Sequence, residues 1–145
     1  MGDYAVRMLF DIAADPDTVI KAVTTTEGVS RWWSTKLEGS PGEAGAQFMV
    51  WFPDVAQPHE YVVERDTPQQ VAWRVAAYPP WWAGTTIRWQ VTPNDDGPGT
   101  RLLFTHEGFE PDDEMIAIVT PVWAQIILRL RGYAETGTPD PFFAL

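Results

Sequence analysis

Apolar and polar residues alternate along six stretches of the chain, which is the pattern of half-buried β-strands. In the first stretch, residues 4–12, Val6, Met8 and Phe10 alternate with Arg7 and Asp11. Turn residues separate the later stretches, which span residues 47–52, 60–66, 70–78, 85–92 and 100–108. Because such short connections can join antiparallel strands but not parallel ones, the pattern predicts an antiparallel meander.

Two short helices are predicted after the first strand. Asp15-Pro16 is typical of a helix N-terminus, since an aspartate caps the free N–H groups and a proline at the first helical position lacks one. A second short helix is expected from about Val29, and it carries Trp32 and Trp33.

The segment 113–135 has the pattern of a long C-terminal helix that ends at Gly137. Thr120-Pro121 inside it resembles a new N-terminus, so we expect a kink or a restart there. After the proline, apolar residues follow each other at spacings of three and four: Val122, Trp123, Ile126, Ile127, Leu130 and Tyr133. This stripe needs an apolar partner, and the inward face of the sheet is the surface large enough.

The elements together predict one α+β domain over residues 1–145, in which a curved antiparallel sheet of about six to seven strands wraps the long C-terminal helix. A chain of 145 residues without internal repeats fits one domain.

The composition and the motifs of the chain reduce the number of function classes that it can belong to. The chain has no cysteine and only two histidines, His59 and His106, so no metal site is predicted. No nucleotide-binding or nucleophile motif is present, and no cofactor is predicted. The net charge of −10 disfavours nucleic acid and anionic lipid. The N-terminal residues show no signal peptide, no apolar run approaches a membrane span, and a cytoplasmic location is expected.

The tryptophans are the main candidates for a binding site. Trp73, Trp89 and Trp123 are predicted either to fill the core or to wall a cavity. In each of the pairs Trp32-Trp33 and Trp81-Trp82, one ring is expected to be exposed or at a rim, and the loop 78–84 is interpreted as a flap at a pocket mouth or as a contact surface. The predicted ligand-binding set is Trp32, Trp33, Phe48, Val50, Tyr61, Trp73, Trp81, Trp82, Trp89, Phe104, His106, Trp123 and Ile127.

His106 is the one candidate for catalysis. It is predicted to face inward near the end of the last strand, either as a core histidine or as a general base assisted by Glu107 or Tyr61. Glu107 alternates outward, and His59 is predicted to lie in a loop with no mechanism attached to it.

Several motifs in chain order carry a family resemblance. They are Asp15-Pro16, Thr25-Thr26-Glu27-Gly28 leading into Arg31-Trp32-Trp33, Gly45 before Phe48, Trp73, Gly99-Thr100-Arg101-Leu102, and Thr105-His106-Glu107-Gly108-Phe109. In these the chain resembles the SRPBCC superfamily, also called START-like or Bet v-like, and within it the homologues of the C-terminal domain of the heat-shock protein ATPase activator. That family usually has Gly-Trp where this chain has Val122-Trp123 after Pro121, so we expect a different pocket mouth.

The resemblance implies a helix-grip fold with a cavity between helix and sheet, and a fold alone does not select a function. Three hypotheses follow. The first is a binding module for a small hydrophobic or aromatic molecule. The second is an enzyme similar to polyketide cyclases or dehydratases that uses His106. The third is a cochaperone-like stress-response protein that contacts a protein partner, or a second copy, through exposed aromatics such as Trp32 or Trp81.

Overall fold

The structure is a computed structural model that describes residue 2 and residues 4–145; Met1 and Asp3 lie outside the described residues. Its elements in chain order are β1 (Tyr4–Ile12), α1 (Pro16–Thr24), α2 (Thr26–Ser30), β2 (Leu37–Gly39), β3 (Gln47–Val50), β4 (His59–Glu64), β5 (Gln70–Val75), β6 (Thr86–Pro93), β7 (Thr100–Phe109) and α3 (Met115–Thr136).

The seven strands form one antiparallel sheet in the order β1-β7-β6-β5-β4-β3-β2. The strands from β2 to β7 form a meander, and β1 pairs with β7 along its whole length, from Tyr4 opposite Phe109 to Ile12 opposite Thr100. The predicted α+β helix-grip fold is confirmed. The three-residue strand β2 was not predicted because it lacks room for an alternating pattern.

The helix caps explain where the two short helices begin. Asp15 Oδ1 accepts a hydrogen bond from Thr18 N at 2.8 Å, as expected for the cap of α1. Thr25 Oγ1 accepts one from Gly28 N at 3.0 Å and starts α2 three residues earlier than the predicted Val29. Trp32 and Trp33 therefore follow α2 in a turn instead of lying within a helix.

The helix α3 is unbroken from Met115 to Thr136, so the predicted restart at Thr120-Pro121 does not occur. Pro121 removes one backbone hydrogen bond, to the carbonyl of Ala117, and Ala117 is exposed where water can replace it. The end is as predicted, because Gly137 has a φ of 76° and donates its N–H to Tyr133 O at 2.7 Å.

The face of α3 that meets the sheet differs in two residues from the predicted stripe, and one of them is Tyr133, which is only half-buried. Trp123, Ile126, Ile127 and Leu130 are buried, whereas Val122 is 37% exposed at the edge of the helix.

Among the described residues, α3 is the helix long and apolar enough to cross a membrane by length and composition alone. This property was overlooked at the sequence level, and core helices of water-soluble folds share it.

Tryptophan indoles dominate the core between the sheet and the helices. Trp73 Nε1 donates to Pro41 O at 2.8 Å, and Trp32 Nε1 donates to Ala22 O at 2.8 Å, so both rings also tie a loop or helix to the core. Trp89 is equally buried, but its Nε1 has no hydrogen-bond partner among the described residues.

Trp73 and Trp89 allow a matched test of these hydrogen bonds. Each change to phenylalanine removes the same volume from a fully buried site, but only Trp73→Phe leaves a buried carbonyl, that of Pro41, without its donor. We expect W73F to lower the free energy of unfolding by about 1–2 kcal/mol more than W89F, measured by urea denaturation. Equal losses would show that the bond to Pro41 contributes nothing.

Candidate ligand-binding cleft

A cleft with a volume of about 160 Å³ opens beside the first half of α3. Its walls come from α3, from the segment that leads into β4, from the loop between β5 and β6, and from the C-terminal tail. The lining residues are Trp33, Phe52, Val55, His59, Trp82, Val119, Val122, Trp123, Ile126 and Phe143. None of these side chains is acidic or carries a permanent charge, so the cleft suits an apolar occupant.

Three residues of the predicted ligand-binding set, Trp33, Trp82 and Trp123, line this cleft. Trp81 lies on the surface outside it, and the rest of the set is buried in the core. The cavity expected under the whole sheet is largely filled, because the tryptophan rings pack against each other at centroid distances such as 5.3 Å between Trp73 and Trp89. The core members are Trp32, Phe48, Val50, Tyr61, Trp73, Trp89, Phe104, His106 and Ile127.

The two pairs of adjacent tryptophans, Trp32-Trp33 and Trp81-Trp82, differ in their exposure to solvent. The prediction that one ring of Trp32-Trp33 is exposed is wrong: both are buried and stack at 6.1 Å with an interplanar angle of 11°. The turn after α2 allows this, since only in a regular helix must the side chains of two consecutive residues point in clearly different directions. For the second pair the prediction is confirmed, with Trp81 54% and Trp82 9% exposed.

The loop that carries the second pair is held by its own backbone. Trp82 N donates to Pro79 O at 3.0 Å, and Gly84 N donates to Val75 O at 3.2 Å. The Trp82 ring stacks on Trp123 at 6.2 Å and an angle of 22°. The loop thus supplies one wall of the cleft; its role as a movable flap stays a prediction.

His106 lies behind this wall in a chain of hydrogen bonds. Trp123 Nε1 donates to His106 Nδ1 at 3.1 Å, which places the proton of the neutral ring on Nε2. His106 Nε2 then donates to Thr85 Oγ1 at 2.9 Å, and the Thr85 hydroxyl donates to Trp82 O at 2.6 Å. Both ring nitrogens are therefore occupied, and burial lowers the pKa of His106 to about 3.

The partners predicted for His106 as a general base lie elsewhere. Glu107 points outward and accepts a hydrogen bond from Arg88 Nε at 2.9 Å. The Tyr61 hydroxyl contacts His59 Nδ1 at 3.3 Å. A fully buried neutral imidazole without an acid or a base beside it matches the core interpretation of His106.

His59 is the histidine of the cleft, contrary to its predicted place in an inert loop. It is the first residue of β4, and its ring packs on Phe52 at 4.5 Å and on Trp82 at 5.2 Å. Burial lowers its pKa to about 4, so it is neutral at physiological pH. Sequence reasoning missed it because the strand was expected to begin at Glu60.

The C-terminal tail brings Phe143 to the cleft. Phe142 N donates to Trp32 O at 3.1 Å and Phe143 N to Trp33 O at 2.8 Å, so the tail runs beside the tryptophan turn. Arg129 Nη1 donates to Asp140 Oδ1 at 2.8 Å and fixes the start of this segment. Phe52, Val55, Val119, Val122, Ile126 and Phe143 were not predicted as site residues, since no local pattern distinguishes them from core or surface residues.

Known proteins agree with this architecture. Residues 13–135 match the model of the family described as Activator of Hsp90 ATPase homolog 1-like protein, and no curated protein sequence matches the chain. The solution structure of the Aha1 dimer from Colwellia psychrerythraea is similar with a TM-score of 0.80 at 26% identity, over 92% of this chain and 98% of that one.

Two less similar structures share the fold. DynU16, described as a protein of the dynemicin biosynthetic locus, has a TM-score of 0.78 at 24% identity over 99% of this chain and 51% of its own. CalU16 from Micromonospora echinospora has a TM-score of 0.65 at 19% identity over 94% of this chain and 76% of its own. The resemblance inferred from the sequence motifs is confirmed.

The buried histidines predict a loss of stability in mild acid. In the unfolded chain a histidine binds a proton near pH 6.5, whereas folded His106 does not until about pH 3. Stability is therefore complete above pH 6.5 and falls as the pH drops from there toward 3. We expect His106 alone to cost about 2 kcal/mol of unfolding free energy between pH 7 and pH 5.

The variant His106→Gln isolates this contribution. It should be less stable than the parent at pH 7, because it breaks the bonds to Trp123 and Thr85, but its stability should decline by about 2 kcal/mol less between pH 7 and pH 5. Urea denaturation at both pH values measures the difference. Parallel declines in parent and variant would mean that His106 is protonated in the folded state.

Proposed function

The chain belongs to the family of Activator of Hsp90 ATPase homolog 1-like proteins, and from this premise we propose that it binds a small apolar or aromatic molecule in the cleft beside α3. The observation that carries the proposal is the apolar cleft itself. A site of this kind, concave and lined by aromatic side chains, is typical of small-molecule binding. We propose further that the chain is one domain that acts in the cytoplasm.

The volume of the cleft limits the size of the ligand that it can hold. A cavity of about 150 Å³ holds one benzene ring, and the cleft measures about 160 Å³. An aromatic ring with a short substituent therefore fits, whereas a larger molecule would have to extend out past Val122 and Phe143.

The residues that form the walls of the cleft favour a ligand-binding function over an enzymatic one. Trp33 is stacked on Trp73 at 5.8 Å with an interplanar angle of 4°, and Trp123 is held by its hydrogen bond to His106. Such rings keep the cleft preformed, which lowers the entropic cost of binding. An enzyme of the cyclase or dehydratase type would need an oriented acid–base pair in the cleft; His106 does not line it, and His59, which does, has the Tyr61 hydroxyl and no carboxylate as its hydrogen-bond partner among the described residues.

Blocking the cleft tests the proposal. Val122 stands at its rim, so Val122→Trp should fill the mouth while the helix stays folded. We expect ethylbenzene, followed by NMR titration of the indole N–H signals, to bind V122W at least about tenfold more weakly than the parent, by loss of apolar contact area.

Leu9→Trp is the matched control, because Leu9 is an exposed apolar residue on β1 and does not line the cleft. It should bind ethylbenzene as the parent does. No saturable binding by the parent protein would refute the proposed function.

A second proposal concerns association between two copies. The outer face of α3 shows a stripe at heptad-like spacing, Ile118, Pro121, Gln125 and Leu128, in which Ile118 is 56% and Leu128 46% exposed. Exposed apolar residues in a row are typical of an interface. The similar Colwellia psychrerythraea protein is described as a dimer.

The charges on α3 fit an antiparallel pairing of two such helices. Antiparallel alignment centred on residue 123, the middle of the stripe, puts Ile118 of one copy beside Leu128 of the other, and it brings Glu114 close to Arg131. This pairing does not involve Trp32, which is buried and cannot serve as the exposed contact that the sequence suggested.

Leu128→Glu tests this association. It places an unpaired carboxylate against the apolar Ile118 of the other copy, so light scattering after size exclusion should give a dimer mass for the parent and a monomer mass for L128E. Leu9→Glu, on an exposed strand residue, should leave the dimer intact. A monomeric parent at about 100 µM would overturn the proposal, since such an interface needs a Kd below about that value.

A further inference from the structure

One side chain of the cleft lining belongs to a segment outside the part of the chain that matches the family. Among the described residues that line the cleft, all except Phe143 lie within the matched range, residues 13–135. The walls that this range provides are thus completed by an aromatic ring from the C-terminal tail. A residue in such a position can give this chain a ligand preference of its own.

The tail is attached to the core at Phe143 itself. Phe143 N donates to Trp33 O at 2.8 Å, and the Phe143 carbonyl accepts a hydrogen bond from Thr35 N at 3.1 Å. Upstream, Arg129 Nη1 donates to Asp140 Oδ1 at 2.8 Å. Because backbone bonds hold the residue on both sides, the ring has a defined place beside the cleft before any ligand arrives.

The Phe143 ring stands at the mouth of the cleft and not at its floor. The floor residues Trp33, Trp123 and Ile126 are buried, whereas Phe143 is only half-buried. Its ring packs edge to face on that of Phe52, another half-buried lining residue, at a centroid distance of 5.0 Å. The two rings together limit how far a ligand can extend from the floor.

The space inside these two rings is that of one small aromatic molecule. A cavity of about 150 Å³ holds one benzene ring, and the cleft measures about 160 Å³. A second ring joined to the first would meet the side chains at the mouth. Exclusion of a larger molecule by steric contact is one way in which a binding site becomes specific.

We infer that Phe143 sets the size limit of the ligand. The cleft accepts a molecule with one aromatic ring and rejects a molecule with two, because the Phe143 ring occupies the place of the second. The inference rests on the proposed function and adds to it a specificity-determining residue and the size class of the ligand.

Ethylbenzene and diphenylmethane are a matched pair of probes. Diphenylmethane has a phenyl ring where ethylbenzene has a methyl group, and Phe143→Ala removes one phenyl ring from the cleft. The parent should bind ethylbenzene at least about tenfold more tightly than diphenylmethane, since a second ring overfills the site. F143A should bind diphenylmethane at least about tenfold more tightly than the parent does, the gain expected when an aromatic ring becomes partly buried. NMR titration of the indole N–H signals measures both affinities.

The ratio of the two affinities is the readout, because a loss of structure would weaken both probes alike. Phe143→Leu keeps part of the side-chain volume and should give a ratio between those of the parent and F143A. A graded change with the size of residue 143 is what a steric limit predicts.

Phe142→Ala is the matched control. It removes the same phenyl group from the neighbouring residue, but Phe142 does not line the cleft, and its ring lies 5.2 Å from the Arg129 guanidinium. The backbone bond from Phe142 N to Trp32 O, at 3.1 Å, remains in this variant. F142A should therefore keep the affinity ratio of the parent.

The possible outcomes separate the inference from the proposed function. If ethylbenzene binds the parent but F143A gains no affinity for diphenylmethane, or if F142A gains as much as F143A, the inference is wrong and the proposed function stands. The same holds if the parent binds both probes equally. If the parent binds neither probe, both are wrong. Thermal denaturation checks that each variant is folded; should F143A be unfolded, F143L decides in its place, and a ratio equal to that of the parent overturns the inference.

Discussion

The packing of Trp33 is the constraint on which the rest of the structure depends. Its ring contacts Trp73 on the sheet at 5.8 Å, Trp123 on α3 at 5.4 Å and Phe52 at 5.6 Å. Its carbonyl accepts the hydrogen bond that ties Phe143 of the tail to the core. One residue thus joins sheet, helix and tail, and the cleft is the space that these three parts leave between them. Aromatic contacts of this kind contribute about 0.5–1.5 kcal/mol each beyond the area they bury.

The second determinant is the hydrogen-bond chain from Trp123 through His106 to Thr85 and the Trp82 carbonyl. It links α3 to β7 and to the loop before β6, so the two tryptophan walls of the cleft keep their relative position. His106 serves this chain in its neutral form, because burial holds the pKa of His106 at about 3. The histidine that a sequence search would choose for catalysis therefore has a structural role, and His59 is the one that meets the cleft.

The tryptophans differ in their surroundings, and this difference explains how a rigid core can coexist with an open cleft. Trp32 and Trp73 satisfy their N–H groups inside the protein, at Ala22 O and Pro41 O. Trp82 Nε1 and Trp89 Nε1 have no partner among the described residues, and of these two rings only that of Trp82 lines the cleft. The exposed stripe on α3 shares no residue with the lining of this cleft, although Ile118 of the stripe lies one helical turn from Val122 of the rim.

The sequence by itself determined most of the elements and their order, because strand alternation, the Asp15 cap and the Gly137 stop are signals that act over a few residues, whereas the three-residue strand β2 carries no such signal. Its motifs also identified the family. Only the tertiary structure decided how much of the expected cavity remains, since that depends on how bulky rings from distant segments fill a shared volume. The same applies to His59, Phe52 and Phe143, which come together from β4, a loop and the tail. The sequence shows that these residues are apolar or titratable, but their meeting depends on distances that no local pattern encodes.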